Sequence, residues 1–443
     1  MRYEKYKQTG TKWITSIPVS WDMQKIGALF VQRKEKVSDK DFAPISVTKN
    51  GILPQLATAA KTDDGDNRKK VCVGDFVINS RSDRKGSCGV SDLEGSVSLI
   101  NIVLQPREQL SGRYAHYLLR NHLFSEEYYR NGRGIVADLW TTRYSEMKTI
   151  LLPVPPREEQ DQIVRYLDWQ VSKINRLIAA KRKRIELVKE HFSVRIANIV
   201  CNGLKPNTPM RETGIDYIGA IPSHWTVLQN KRLFKSMNRT FQGIPTVLSL
   251  SQKDGLIPYS EMTERSLHTS SYENWQLVCP NDLVLNRFKA HLGVFFASKY
   301  TGIVTFHYGV YEAKMPLVAK YYEVLYHTPE YCRVYAGQSR GMTVGLQNLS
   351  DTNFYSTYTV YPPNEEQREI VTEIEQIEKQ QSSIIAGVNR QIEKLQEFRT
   401  RLISDVVTGQ VDVRGIEVPD FEYVGETDEA GEQDEEAEEE IDG

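Results

Sequence analysis

Pro155-Pro-Arg-Glu-Glu-Gln-Asp-Gln-Ile-Val164 and Pro362-Pro-Asn-Glu-Glu-Gln-Arg-Glu-Ile-Val371 are two versions of one stretch, displaced by 207 residues, and each opens a long amphipathic run. The likeness reaches upstream. Asp75, Val77, Asn79, Gly86, Gly95 and Val97 return as Asp282, Val284, Asn286, Gly293, Gly302 and Val304 at the same displacement, as does Arg133-Gly134 as Arg340-Gly341. Nearer the start, Thr9-Gly10, Ile17-Pro18 and Trp21 return as Thr213-Gly214, Ile221-Pro222 and Trp225, displaced by 204, so three residues are inserted between Trp225 and Asp282. A duplicated chain predicts two similar folds related by a pseudo-twofold axis, an arrangement suited to a partner that offers two separate sites.

After each Pro-Pro the apolar period becomes 3.5. Val164, Leu167, Val171, Ile174, Ile178, Lys181, Ile185, Val188, Phe192, Arg195 and Ile199 alternate spacings of 3 and 4, with only Lys181 and Arg195 polar. That is a coiled-coil seam. The second copy runs Val371, Ile374, Glu378, Gln381, Ile385, Val388, Ile392, Leu395, Arg399, Leu402 and Val406, a weaker seam for which Ile377 and Ile384 compensate. Gly203 and Gly409 stop the helices. Each helix is expected to span roughly 43 residues, or about 65 Å. An antiparallel pair buries both stripes; the alternative is that each helix lies on its own domain.

Upstream of each helix, short β-rich runs bounded by glycines (Asp75–Asn79 and Ser96–Leu104, then Asp282–Leu285, Gly293–Ala297 and Gly302–Phe306) precede a helical period over Gly112–Phe124. The expected fold class is α+β: two similar α+β domains, 1–155 and 205–362, separated by a long two-helix antiparallel coiled coil, 156–204 and 363–410, with an acidic disordered tail at 411–443.

The formal charge of -2 over 443 residues hides an asymmetry, because Asp420 to Asp442 hold 13 acids and no Lys or Arg, leaving +11 on the chain before them. A basic body suits nucleic acid, and also many solvated surfaces. No run approaches the roughly 18 apolar residues of a membrane span, and the start lacks a signal-peptide core, so a cytoplasmic location is expected. Cys72, Cys88, Cys201, Cys279 and Cys332 have no metal-ligand or disulfide spacing and read as reduced and structural.

Catalytic motifs are weak. Gly132-Arg-Gly134-Ile-Val-Ala137 matches a dinucleotide fingerprint, but helix end and turn residues precede it where a strand is needed. Asp282 followed by Glu312-Ala-Lys314 has the acid-then-E-x-K order of magnesium nucleases; the first copy lacks the E-x-K, and alternating Glu and Lys is common on half-exposed strands. Neither a phosphate loop nor an Asn/Asp-Pro-Pro-Tyr/Phe methyltransferase motif occurs. The loops after each Asp-x-Val-x-Asn run differ instead: Asn79-Ser-Arg-Ser-Asp-Arg-Lys-Gly86 against Asn286-Arg-Phe-Lys-Ala-His-Leu-Gly293. Asn79, Ser80, Arg81, Ser82, Arg84, Lys85, Arg133 and Arg143, with Asn286, Arg287, Lys289, His291 and Arg340, are the candidate DNA-binding residues, of types that bond base edges and phosphates. Ordinary polar turns would carry the same Asn and Gly. Lys181-Arg-Lys-Arg184 reads as a solvated helix face.

The ordered set Thr9-Gly-x-x-Trp-Ile-x-x-Ile-Pro-x-x-Trp21, its copy Thr213-Gly-x-x-Tyr-Ile-x-x-Ile-Pro-x-x-Trp225, Gly74-Asp-Phe-Val-Ile-Asn79, Asn281-Asp-Leu-Val-Leu-Asn286-Arg and the two Pro-Pro-x-Glu-Glu-Gln-x-x-Ile-Val stretches resembles the DNA-specificity subunits of type I restriction-modification systems, over residues 1 to about 412. The resemblance implies two target-recognition domains, each reading half of a split site, with the helices as spacer. It implies a chain that is not an enzyme and binds no cofactor or metal itself. Two methyltransferase subunits would use S-adenosylmethionine on adenines, and restriction/translocase subunits would use ATP and Mg. The acidic tail departs from the family pattern and puts in doubt whether the C-terminus lies beside the first domain. Two readings outside the family are a coiled-coil scaffold without DNA binding and a stand-alone nuclease built on Asp282, Glu312 and Lys314.

Overall fold

The computed structural model describes residues 2–55, 65–81, 84–134, 140–241, 246–251, 255–262, 272, 274–339 and 348–425. They form two compact units, Met1–Arg184 with Val388–Gly443, and Ile185–Gly387. Helix and strand are mixed in both.

In the first unit an antiparallel sheet runs in the order Cys88–Val90, Phe76–Asn79, Asn101–Pro106, Phe30–Gln32. Its central strand is apolar at successive positions because both faces are covered. Phe76 and Ile78 join the cluster of Trp21, Tyr114 and Leu118, while Val77 joins Val71, Val97 and Val103 on the other side. The second unit repeats the order with Phe295–Ala297, Leu283–Asn286, Tyr308–Ala313 and Phe234–Ser236. Register is repeated too: Val77 faces Val103 and Gly89, as Val284 faces Val310 and Phe296. The helical period over Gly112–Phe124 resolves into two helices, Gly112–Leu119 and His122–Arg130. Asn121 breaks the run by accepting from Leu123 N at 2.9 Å as an N-cap.

The long helices are Arg157–Asn202, 46 residues, and Asn364–Val407, 44 residues. Gly203 and Gly409 follow them at φ 80° and 73°, where a side chain is strained. A Cβ on Gly409 would also run into Pro18, and one on Gly203 would press on Trp225 and Glu366. The first seam serves two purposes. In the first unit Leu167 and Val171 are part of the cluster holding Trp13, Val406 and Val407. Farther along, side chains reach from helix to helix in antiparallel sense: Arg399 Nη1 donates to Asn175 Oδ1 at 2.8 Å and Lys181 Nζ to Gln391 Oε1 at 2.6 Å. In the second unit Arg195 pairs with Glu373 at 2.8 Å, and Phe192, Ile199, Ile370, Ile374 and Ile377 share one cluster. Ile377 thus makes good the polar Glu378, whereas Ile384 is 39% exposed and does not compensate.

The repeated Pro-Pro-x-Glu-Glu-Gln stretch is a joint. Glu159 is buried and accepts from Trp21 Nε1 at 2.9 Å and from the Tyr3 hydroxyl at 2.6 Å. Glu366, 207 residues on, accepts from Trp225 Nε1 at 3.0 Å and bonds His224 Nε2 at 2.7 Å. Gln160 Nε2 donates to the Pro155 carbonyl and its Oε1 accepts from Ser111 N; Gln367 does the same with Pro362 and Val318. The Tyr114 hydroxyl bonds the Val407 carbonyl at 3.2 Å, and that of Tyr321 the Val200 carbonyl at 2.8 Å. So Trp21 receives the end of the helix that comes last in the chain, and Trp225 the end of the helix just before it.

The chain after Gly409 is a correction to the tail proposed at 411. Val413 lies in the first unit's core, Gln162 Nε2 donates to the Val413 and Ile416 carbonyls, and Val424 N donates to Ser172 Oγ at 3.0 Å. Backbone groups bonded along a helix face hold residues 410–425 in place despite their acids; residues 426–443 are outside those described. This also answers the doubt as far as Gly425, since residues 410–425 pack within the first unit.

Replacing Glu159 by Ala leaves the buried Trp21 N–H and Tyr3 O–H without an acceptor. The cost expected is about 2–4 kcal/mol, read as weakened urea-dependent hydrogen-exchange protection in the first unit. Unchanged protection there would mean the joint carries no stability.

Candidate nucleic-acid interface

Both candidate loops hang from the same bonds. Asn79 and Asn286 end their strands; Asn79 Oδ1 accepts from Arg81 N at 3.0 Å and Asn286 Oδ1 from Phe288 N at 3.1 Å. Their own N–H groups donate to the Ser87 and Val294 carbonyls, both at 3.0 Å. A second chain segment ties each loop down, Thr142 N to the Ser80 carbonyl and Leu349 N to the Arg287 carbonyl, again both at 3.0 Å. Every partner is displaced by 207. Asn therefore builds the turn, and the residues after it are free to vary in chemistry.

In the first unit the candidates converge. The backbones of Arg81 and Arg133 both bridge to Thr141. Arg81, Arg84, Arg133 and Arg143 are exposed, with Arg133 Nε 3.8 Å from Glu146. Lys85 Nζ pairs with Glu126 at 2.5 Å and lies 4.8 Å over the Tyr129 ring; its hydrogen bond holds the Glu126 carboxyl below the usual range. Tyr129 stacks on Trp140 at 5.9 Å and 28°, and a Cβ on Gly132 would run into that indole, which is why a glycine stands there. Ser80 is turned inward, its hydroxyl donating to the Ile100 carbonyl at 2.6 Å. Ser82 lies outside the described residues. Trp140, Thr141 and Glu126 escaped the sequence reading, because they sit 40–55 positions beyond Gly86 and match no motif.

In the second unit Lys289 is exposed at the start of a short turn, Ala290–Leu292, closed by Gly293 at φ 73°. His291 is half-buried. Arg287 is drawn aside by Asp351, Nη2 to Oδ1 at 2.7 Å. Arg340 lies outside the described residues, so its equivalence to Arg133 stays a matter of sequence.

The carboxylates of the nuclease motif are engaged elsewhere. Asp282 accepts from Arg239 Nη1 at 2.5 Å and from Cys279 N at 2.7 Å, Glu312 pairs with Arg239 Nη2 at 3.1 Å, and Lys314 Nζ donates to the Lys231 carbonyl. Asp75 makes the same pair of contacts with Arg33 Nε and Cys72 N, at 2.7 and 2.9 Å. A guanidinium occupies the place of a cation, and the aspartate is framework in both units. The dinucleotide match also fails, since the helix His122–Arg130 leads directly to Gly132. Among the described residues no group of His, Cys, Asp and Glu could hold a metal, and no helix is long and apolar enough to cross a membrane. All five cysteines are free, with burial pushing the Cys88 thiol up to about 12.

No family model matches the chain. A type I restriction enzyme specificity subunit, MjaX of Methanocaldococcus jannaschii, is 22% identical over 246 residues, 52% of this chain and 54% of the relative. The chain is similar to type I specificity subunits. It spans about half the length of the curated relative it matches. A solved chain from work on complex assembly and conformational transition of the type I R-M system agrees at a TM-score of 0.62 and 14% identity, over 89% of this chain and 99% of that one. At that identity the likeness speaks for the fold alone.

Asp282→Ala leaves Arg239 only the half-exposed Glu312 and is expected to cost about 3 kcal/mol, as when one partner of a buried pair is removed. Glu312, half-exposed, should cost under about 1 kcal/mol on replacement by Ala. Urea midpoints separate the two; equal effects would contradict the framework role.

Proposed function

We propose that this chain is the sequence-reading subunit of a type I restriction-modification complex, with one recognition domain for each half of a bipartite DNA site. The observation that carries the reading is the pair of unlike loops on identical bonds. Arg81, Arg84 and Lys85 in one, and Arg287, Lys289 and His291 in the other, differ in every side chain while the backbone ties agree. Phosphate contacts would position each domain, and the loop side chains would meet base edges in the major groove. The +11 charge of the chain before Asp420 supplies the sequence-independent attraction to the duplex.

In this reading the chain performs no chemistry. Two methyltransferase subunits turn the target adenine out of the stack and methylate it with S-adenosylmethionine, while this subunit holds the duplex; ATP- and Mg-dependent restriction subunits act through the same assembly, in the cytoplasm. The two recognition domains, the antiparallel helix pair between them as a rigid spacer, and the pseudo-twofold relation of the halves all belong to this proposal. The helix-to-helix contacts of Asn175 with Arg399 and of Arg195 with Glu373 support it.

Replacing Arg84 and Lys85 together by Ala should weaken reading of one half-site by roughly tenfold or more and leave the bases preferred at the other unchanged. Binding selection on randomised duplexes reads both at once; relaxed preference at both halves would count against separable domains. Salt-independent or absent DNA binding by the intact chain would favour the scaffold reading instead.

If the helices are the ruler, inserting one four-residue turn into both at matched levels adds about 6 Å, or roughly two base pairs at about 3.4 Å each. Methylome sequencing of cells carrying that variant should show a longer gap between unchanged half-sites. The four-residue insertion also unwinds the coil locally, so a shift of about one or three pairs with weaker binding fits as well. An unchanged gap at full activity would remove the ruler.

A further inference from the structure

The arginines near the two loops are held in two different ways. Arg33 grips both oxygens of Asp75, Nε at 2.7 Å and Nη2 at 3.1 Å. Arg239 grips both oxygens of Asp282, at 2.5 and 3.4 Å, and reaches Glu312 as well. A guanidinium fork closed on a carboxylate is a fixed strut. Arg287 is not closed. It meets Asp351 through Nη2 alone, at 2.7 Å, and that same oxygen also accepts from the Tyr311 hydroxyl at 2.8 Å. Its Nε is buried with no hydrogen-bond partner, and four residues on His291 Nδ1 is buried without one too. Buried donors and acceptors are normally paired. Two unmet groups on one turn mark a turn whose bonding is completed by something it receives.

At the two matching positions of the first unit this pair is replaced. Ser80 stands where the second has Arg287, and Tyr144 where it has Asp351, each displaced by 207. The backbone bond that ties the loop down is kept in both. The cation and its carboxylate are therefore an exchanged pair, peculiar to the second loop.

We propose that Asp351, oriented by Tyr311, is a specificity-setting residue that parks Arg287 by a one-point contact beside the second reading loop. This rests on the DNA-reading function above. A guanine edge offers two acceptors, O6 and N7, in the geometry of the guanidinium fork. It can take Arg287 from Asp351 because it returns two bonds for the one lost. Any other base edge returns one bond or none and leaves the carboxylate of Asp351, 33% exposed, without its cation. Asp351 thus acts against the wrong base, and Arg287 for the right one.

The test is selection of bound sequences from a randomised duplex library by the full-length chain, with Arg287→Ala, Arg287→Lys, Asp351→Asn and Tyr311→Phe beside the wild type. Arg287→Ala and Arg287→Lys should lose a guanine preference at one position of one half-site by about tenfold or more. Asp351→Asn should keep or raise total affinity while the same guanine preference falls several-fold, and Tyr311→Phe should give a weaker version of that change. Preferences at the other half-site stay as in the wild type and show that each variant is folded. Identical preferences at both half-sites in Asp351→Asn and wild type would overturn the role of Asp351; a wild type that selects no bipartite sequence would overturn the DNA-reading function along with it. Relaxation of both half-sites together by a normally melting Asp351→Asn variant would also overturn the proposal, since a parking contact acts on one loop.

Discussion

A glutamate at the head of each long helix, buried at Glu159 and partly buried at Glu366, is the contact on which the rest of the architecture depends. Glu159 accepts from Trp21 and Tyr3, and Glu366 from Trp225, all through short hydrogen bonds. A carboxylate taken out of water must be fully bonded to be tolerated, so each of these glutamates fixes the chain segment that carries its donors. The neighbouring glutamine then fixes the helix that begins near Ser111 or Val318. Three segments far apart in the chain are thereby held to one helical turn, and the sheet that carries the candidate loop is positioned from there.

Framework and variable side chains are separated at the level of single atoms. The backbone ties of the two loops agree in partner and in length, whereas the side chains they present share nothing beyond Asn and Gly. The ties set where a loop stands; the side chains alone decide what it meets. Arg33–Asp75 and Arg239–Asp282 belong to the first class, closed struts that explain why an aspartate precedes each Val-x-Asn. Arg287–Asp351 belongs to the second.

Much of this was legible in the sequence, for definite reasons. The displacement of 207 was visible because the repeated residues are those with unusual backbone or burial demands: Gly at positive φ, Trp in a core, Glu and Gln at a joint. The heptads marked the long helices to within a few residues, since apolar spacings of 3 and 4 sustained over that length suit a helix and no strand. The break at Asn121 was hidden because capping there depends on one side-chain bond inside a continuous apolar period. Ile384 misled because a periodic pattern does not say how wide the buried stripe is. The tail was placed too early because composition describes acids without the carbonyls behind them, and Gln162 and Ser172 bind backbone, which composition ignores. Among the site residues, Ser80 was legible as polar but not as inward-facing, and Asp351 was invisible because its partner is 64 positions away.

The agreement of the two joints has a consequence for how such a chain changes over generations. The gene carries two stretches that encode interchangeable joints, so an in-frame exchange between related genes at Pro-Pro-x-Glu-Glu-Gln moves a whole loop and its sheet while every Trp–Glu and Gln–backbone contact forms again. The product would inherit one candidate loop from each parent. Under the proposed function, new pairings of loops would arise by recombination without any intermediate that has lost its core, and the coding cost of a new specificity would be a single crossover.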